Sequence, residues 1–374
     1  MKIFFVRALS LYLPINVYIF IRAWQAIPPI FAYRLVYTIL FIVIAPLFSV
    51  AMIGRNKLSL RFLKIIYPIG TTWLAFTIYF FLFFLVTDII GLLNYWIHFL
   101  PENITLHFRQ IQVYGASVVI VIMLIFGYYK FTHPSVNIYN IKINKEAGEK
   151  KELRVIGISD IHLGLSIGKK RFSKYVDKIN ALKPDIILIA GDVIDNSTRL
   201  LNVEHLEDEI NRMQAPLGMY MCLGNHDYRG GMDECLDFLK RTRINLLIDS
   251  VVHVDNSFWI IGRKDKSLGY RKPLKNLVAE TAQSEPVFLL DHQPFHLADA
   301  EENEVDFQLS GHTHNGQLWP GNLIVNKIYE VGHGYKKKGN LHVYVSSGLA
   351  LWGPLFRIGT ESEIAMFNVK FTIS

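Results

Sequence analysis

The sequence predicts a bundle of membrane-crossing helices followed by an α/β domain whose core strands are largely parallel. Three observations predict it. Three long apolar runs without a charge lie in the first third of the chain. From Leu153 onward, short apolar runs alternate with helical patterns. Five of those short runs end in aspartate, asparagine or histidine, where open α/β sheets bind their ligands.

The apolar runs are residues 35–54, 65–87 (IIYPIGTTWLAFTIYFFLFFLVT) and 110–129 (QIQVYGASVVIVIMLIFGYY). Each reaches the roughly 20 residues that cross a bilayer core as a helix. A buried core helix rarely lacks a polar face over so many turns. An earlier segment, 8–21, is uncharged between Arg7 and Arg22 but holds Pro14, and no small-x-small site precedes Arg22. It reads as a fourth span in preference to a cleaved leader or an interfacial helix. Residues 1–133 are therefore expected to form a membrane domain of three to four helices.

Charge separates the two parts. Residues 1–133 hold ten Lys/Arg against only Asp88 and Glu102, which leaves 29 of the chain's 39 basic and 30 of its 32 acidic residues to the remainder. A nearly neutral second part has no nucleic-acid footprint, and no nucleic-acid partner is expected. The loop RNKLSLRFLK (55–64) carries four positive charges, whereas 88–109 offers only Arg109. The positive-inside rule makes the 55–64 loop cytoplasmic, and two further crossings return the chain to that side. The expectation is a multi-pass protein of the cytoplasmic (inner) membrane with its second domain in the cytoplasm. Two cysteines, Cys222 and Cys235, without a CxxC pattern, suit a reducing compartment.

Residues 134–150 read as a polar connection that starts with an edge strand, and 151–374 as the second domain. Its strand candidates are 153–159, 186–190, 219–223, 258–262, 287–291, 307–310 and 343–347. Between the first two, KRFSKYVDKINALKP places Phe172, Val176 and Ile179 on one helical face, closed by Pro184.

The strand ends carry the chemistry. They are Asp160-Ile161-His162, Gly191-Asp192-Val193-Ile194-Asp195, Gly224-Asn225-His226-Asp227, His292, and Gly311-His312-Thr313-His314. Each alone fits a turn or a helix cap. Together they bring oxygen and nitrogen ligands without thiolate to one edge of a sheet, which points to a hard or borderline divalent metal.

In that order, D-x-H, GDxxD, GNH[DE], a lone histidine and GHxH resemble the five-block signature of the calcineurin-like metallophosphoesterase superfamily. The resemblance covers roughly 153–350. The blocks GHTHNGQ and YVSSGL behind a membrane segment are similar to its membrane-anchored bacterial branch. The resemblance implies a four-layer αββα sandwich of two mixed sheets and two divalent ions (Mn, Fe, Zn or Ni). Asp160, His162 and His314 would hold one ion, Asn225, His292 and His312 the other, and Asp192 both. Such a pair clamps phosphate oxygens and turns a shared water into a hydroxide nucleophile. His226 matches the histidine that gives a proton to the departing oxygen, and Asp195 the carboxylate that orients it.

His296, in DHQPFH, reads as structural, because Pro294 breaks the helix an i,i+4 pair needs. His253, His333 and His342 read as surface or packing residues, and Lys336–Lys338 as a solvated turn. Arg357, near the end of the similar region, is a candidate contact to substrate phosphate. The expected function is a membrane-anchored, metal-dependent phosphoesterase acting on phosphoester or pyrophosphate bonds. The tether beside the bilayer suggests a lipid-linked substrate. The alternative is a membrane-anchored sensor that binds a phosphorylated ligand without turnover.

Overall fold

A computed structural model describes residues 2–99 and 106–372. The chain forms two compact units, Met1–Gly127 and Tyr128–Ser374.

The first unit is helical: α1 (Lys2–Trp24), α2 (Phe31–Ile44), α3 (Leu47–Gly54), α4 (Leu60–Ile97) and most of α5 (Leu106–Thr132). Among the described residues three stretches are long and apolar enough to cross a membrane: Phe31–Gly54, Leu60–Ile97 and His107–Thr132. The first is broken between α2 and α3 at Pro46, whose ring removes an N–H from the ladder. α1 is continuous through Pro14. The surface of this unit is studded with Leu, Ile, Val and Phe, and α2 has no buried residue. Exposed apolar area on that scale suits hydrocarbon rather than water. The acidic group near a span end, Asp88, is paired with Arg22 and accepts from Tyr18 Oη at 2.5 Å.

The second unit runs β1 (Ser135–Ile143), β2 (Glu152–Ile158), α6 (Lys169–Ala181), β3 (Ile186–Ala190), α7 (Arg199–Glu204), α8 (Leu206–Asn211), β4 (Met219–Cys222), α9 (Met232–Leu239) and β5 (Ile244–Leu247). It continues with β6 (Ser250–Val254), β7 (Phe258–Gly262), α10 (Leu274–Val278), β8 (Val287–Leu290), α11 (Leu297–Glu302), β9 (Phe307–Ser310), α12 (Gly321–Ile328), β10 (Gly334–Lys338), β11 (Leu341–Val345) and β12 (Glu363–Phe371). Two six-stranded sheets result, in the orders β1-β12-β2-β3-β4-β5 and β10-β11-β9-β8-β7-β6. Both are mixed, since β12 runs antiparallel to β2, and β6 and β10 antiparallel to β7 and β11.

Period-two alternation builds the layers. In β3, Ile186, Leu188 and Ala190 join the core between the sheets, while Ile187 and Ile189 join a second core under the helices. In β8, Phe288 and Leu290 face inward and Val287 and Leu289 pack under α10 and α11. The inter-sheet core is aromatic: Phe258, Phe288, Phe307 and Phe367 meet at centroid distances of 4.9–5.6 Å. The helix face expected from Phe172, Val176 and Ile179 is buried as α6. This is the four-layer sandwich of two mixed sheets.

Every strand expected from the sequence is present, with four more. Ser135–Ile143, within the polar connection, is a nine-residue edge strand in register with β12. Lys336–Lys338 lie in the edge strand β10, not a turn, and Lys336 and Lys338 pair with Glu330.

Candidate metal centre

Strands β2, β3 and β4 are mutually parallel, as are β8, β9 and β11, so their carboxyl ends gather at shared edges. The turns after β2, β3, β4, β8 and β9 supply the polar side chains. Asp160, His162, Asp192, His312 and His314 all hold positive φ, between 49° and 71°. Left-handed backbone costs a non-glycine residue about 1–3 kcal/mol, and such strain concentrates at functional sites. The flanking glycines make the turns fit. A Cβ on Gly191, itself at φ +77, would lie 2.5 Å from Gly224 N, and one on Gly224 would overlap the Asp192 carboxylate.

Among the described residues three groups of ligating atoms are drawn together: Asp160, His162 and His314; Asp160, Asp192 and His292; and His162, Asp195 and His226, of which the first two are made up of expected metal ligands. His162 Nε2 and His314 Nε2 face each other at 3.2 Å, with Asp160 Oδ1 3.4 Å from His314 Nε2. Neither ring's Nδ1 has a hydrogen-bond partner among the described residues. In the second group the tautomer is fixed by chemistry. His292 Nδ1 lies 2.7 Å from Ala190 O, and a carbonyl can only accept, so Nδ1 carries the proton. In the neutral ring, Nε2 then presents a lone pair to Asn225 Oδ1 at 3.2 Å and Asp192 Oδ2 at 3.3 Å. Three acceptors converging on one point require a proton or a cation among them. Asp192 Oδ2 also lies 3.8 Å from His162 Nε2, so this carboxylate touches both the first group and the second. His312 flanks the second, its ring centroid 5.1 Å from that of His292. The donor set, nitrogen and oxygen in a buried cluster, fits two divalent ions of the borderline class.

Burial works against ionising Asp160 and Asp192, but the surrounding histidines outweigh it and hold both carboxyls well below the usual carboxylate range. Burial pushes His312 down to about 4, and His314 falls likewise, which favours the neutral, ligating ring. His162 and His292 move up despite burial, because carboxylates face them.

Beside this cluster stands His226, its ring 4.8 Å from that of His162. His226 Nδ1 contacts Asp195 Oδ1 at 3.2 Å, the pairing that the family resemblance implies, and Arg229 Nη1 donates to Nε2 at 2.6 Å. Trp352 lies 5.8 Å from the same ring.

All nine residues expected from the sequence meet at this site. Three others were missed. Arg229 and Trp352 stand outside the five blocks and carry no ligand pattern. Asp227, inside GNHD, turns inward to accept from the backbone N–H groups of Asp192 (2.9 Å), Ile194 (2.8 Å) and Gly224 (2.7 Å), clamping two ligand turns together. Burial, then Asp192, pushes its carboxyl up to about 7.

One expectation is corrected. Arg357 is 1% exposed and does not face an open site. It donates to the carbonyls of His314, Ser347, Gly348 and Ala350, tying the His314 turn to the segment after β11. His296 is exposed at the start of α11, and His253, His333 and His342 make packing and ion-pair contacts away from the cluster.

The family model for calcineurin-like phosphoesterase matches residues 153–316. The chain is 31% identical over 230 residues to an uncharacterized metallophosphoesterase of Aquifex aeolicus, covering 59% of this chain and 85% of that one. It is 32% identical over 228 residues to one of Campylobacter jejuni, covering 59% and 60%. It is 28% identical over 280 residues to a transmembrane protein with metallophosphoesterase domain from Danio rerio, covering 70% and 63%. The chain thus spans 60% of the length of the Campylobacter and Helicobacter relatives it matches.

Proposed function

Because the chain belongs to the calcineurin-like phosphoesterase family, we propose that the cluster holds two divalent ions and hydrolyses a phosphoester or phosphoanhydride bond. The observation that carries this reading is the convergence of His292 Nε2, Asn225 Oδ1 and Asp192 Oδ2 beside the opposed nitrogens of His162 and His314. Asp160, His162 and His314 take one ion, Asn225, His292 and His312 the other, and Asp192 both. When bound, the ions neutralise phosphate oxygens and activate water. The protein's part is positional. Asp195 accepts from His226 Nδ1 and fixes the ring, which leaves Nε2 to carry a proton to the departing oxygen. Arg229 occupies Nε2 in the free enzyme, and a bound phosphoryl group draws that guanidinium onto its own oxygens.

The substrate is proposed to be lipid-linked. α12 starts five residues after His314 Nε2's turn closes at Gly316, and none of its residues is buried; Leu323, Ile324 and Ile328 are 58–63% exposed. An apolar helix face open to solvent next to a catalytic cluster suits an acyl or isoprenoid chain. The protein is further proposed to be a multi-pass protein of the cytoplasmic membrane, with α1 as a fourth crossing and the hydrolytic domain in the cytoplasm. A periplasm-dependent reporter fused after residue 374 should stay inactive.

The test is Mn²⁺-dependent hydrolysis of bis-p-nitrophenyl phosphate by the full chain beside Asp192→Ala. Activity should vanish with the shared carboxylate. A folded, metal-loaded parent without activity on this or a lipid pyrophosphate would leave a phosphoryl-ligand sensor. Leu323→Ser with Ile324→Ser should slow a micellar lipid pyrophosphate and spare the soluble diester; equal effects on both remove the lipid reading.

A further inference from the structure

A cleft of about 1040 Å³ opens at the end of α5 and shares no residue with the metal cluster. One wall is the segment from Tyr128 to Pro134, and the other is the outer face of α6. α6 contributes Lys169, Lys170, Arg171, Lys174 and Lys178. Against these five cations stands the Glu204 carboxylate, which already accepts from Lys169 N at 2.7 Å.

The cations divide into two sets. Arg171 and Lys178 are fixed. The Arg171 guanidinium lies 4.5 Å from the Phe131 ring centroid and donates to Tyr128 Oη at 2.9 Å, while Lys178 donates to Pro134 O. Lys169, Lys170 and Lys174 make no side-chain hydrogen bond or ion pair among the described residues, and Lys170 and Lys174 are exposed. Five cations around one cavity against the single Glu204 carboxylate leave an excess of like charge that repels itself, so the arrangement is completed by an anion.

The chain's own geometry says where this cleft lies. The apolar helix from His107 to Thr132 has 26 residues, about 39 Å at 1.5 Å each, against a hydrocarbon core of about 30 Å. Its last turns, with Tyr128 and Tyr129, therefore fall in the headgroup layer, where aromatic residues with a polar tip concentrate. Clusters of four or more Lys/Arg directly after a membrane helix attract anionic lipids.

We infer that this cleft is a headgroup site for an anionic phospholipid of the leaflet at which α5 ends. The lipid phosphate sits among Lys169, Lys170 and Lys174, with Arg171 pre-oriented at the base by its stacking on Phe131. All lining residues of the site belong to the second unit. It requires that α5 cross the bilayer and is independent of any turnover.

The experiment is native mass spectrometry of the full chain released from detergent with phosphatidylglycerol or phosphatidylcholine added. The variants are Lys169→Gln/Lys170→Gln/Lys174→Gln and the same three positions changed to arginine. The parent should retain phosphatidylglycerol over phosphatidylcholine at least about tenfold, the glutamine variant should lose that preference, and the arginine variant should keep it. Unchanged Mn²⁺-dependent diester hydrolysis by the glutamine variant confirms that it is folded. Equal phosphatidylglycerol retention by parent and glutamine variant overturns the proposal. So does displacement of the lipid by millimolar inorganic phosphate or glycerol phosphate, which would make the cleft a site for a soluble anion.

Discussion

Replacing Arg357 with leucine separates a structural role for that residue from a role in binding substrate. The buried guanidinium donates to His314 O at 2.9 Å, Ser347 O at 2.7 Å, Gly348 O at 3.2 Å and to Ala350 O. A hydrogen bond from a charged donor contributes about 1.5–3 kcal/mol, so four amount to roughly 6–12 kcal/mol. Desolvation opposes them. Burial pushes the guanidinium down to about 10 from 12.5, a cost of about 3 kcal/mol. Leucine removes both contributions, and the freed carbonyls recover part of their bonding as the 346–350 segment relaxes. A net loss of about 3–5 kcal/mol follows, the range seen when one partner of a buried charged network is deleted. For a domain of this size that is roughly 6–20 °C in Tm. The assay is the near-UV circular dichroism melt of the full chain in detergent, with bound metal counted well below the transition. Arg357→Leu should melt at least about 6 °C lower and hold metal more weakly, because the His314 turn is loosened. Arg357→Lys should recover only part, since an ammonium cannot span four carbonyls. A leucine variant that melts with the parent yet loses turnover refutes this reasoning and returns Arg357 to the substrate phosphate.

Two further outcomes follow from the same geometry. Chelation should lower the melting temperature, because the three converging acceptors and two opposed histidines are left without a cation. Ions at a hundredfold their Kd stabilise by about 2.7 kcal/mol each, so removing one costs roughly 5–10 °C, and Mn²⁺ should restore it. Proven loss of metal without a change in melting would contradict the assignment of the cluster. His226→Gln should cut turnover of an alkyl phosphodiester by about 10²–10⁴-fold, while a p-nitrophenyl ester, whose leaving group needs no proton, loses far less. Equal losses on the two esters would remove His226 as the proton donor.

The parts of this protein that were legible in its sequence are those where a local pattern carries its own physical meaning. Uncharged runs of twenty residues have few destinations other than a bilayer. Short apolar runs ending in Asp160, Asp192, Asn225, His292 and His312 mark strands that end at a ligand, because each side chain must leave the sheet in a tight turn. The strands that escaped notice lack such an ending. β12 closes the first sheet between β1 and β2, pairing with residues more than two hundred positions away, and nothing near Glu363 in the sequence announces that return. Its first residue, Glu363, is fully buried yet accepts from Ser347 N at 2.8 Å and Asn137 Nδ2 at 2.7 Å, partners that only the closed sheet supplies.

The same distinction explains Arg357 and Asp227. Arginine near a phosphate-handling motif suggests an anion, because a guanidinium in water has no better partner. In the fold it meets four backbone carbonyls, one in the turn that carries His314 and three in the segment after β11. Asp227 does the converse for backbone N–H groups, accepting three from the turns that carry Asp192 and Asn225. Ligand residues held at positive φ leave their turns without the hydrogen bonds of a helix or ladder. One buried cation and one buried anion satisfy the carbonyls and amides so exposed, and thereby fix the turns rigidly enough to aim the ligands. Such residues are selected by the cluster's backbone and not by the substrate. They emerge only once the turns themselves are seen.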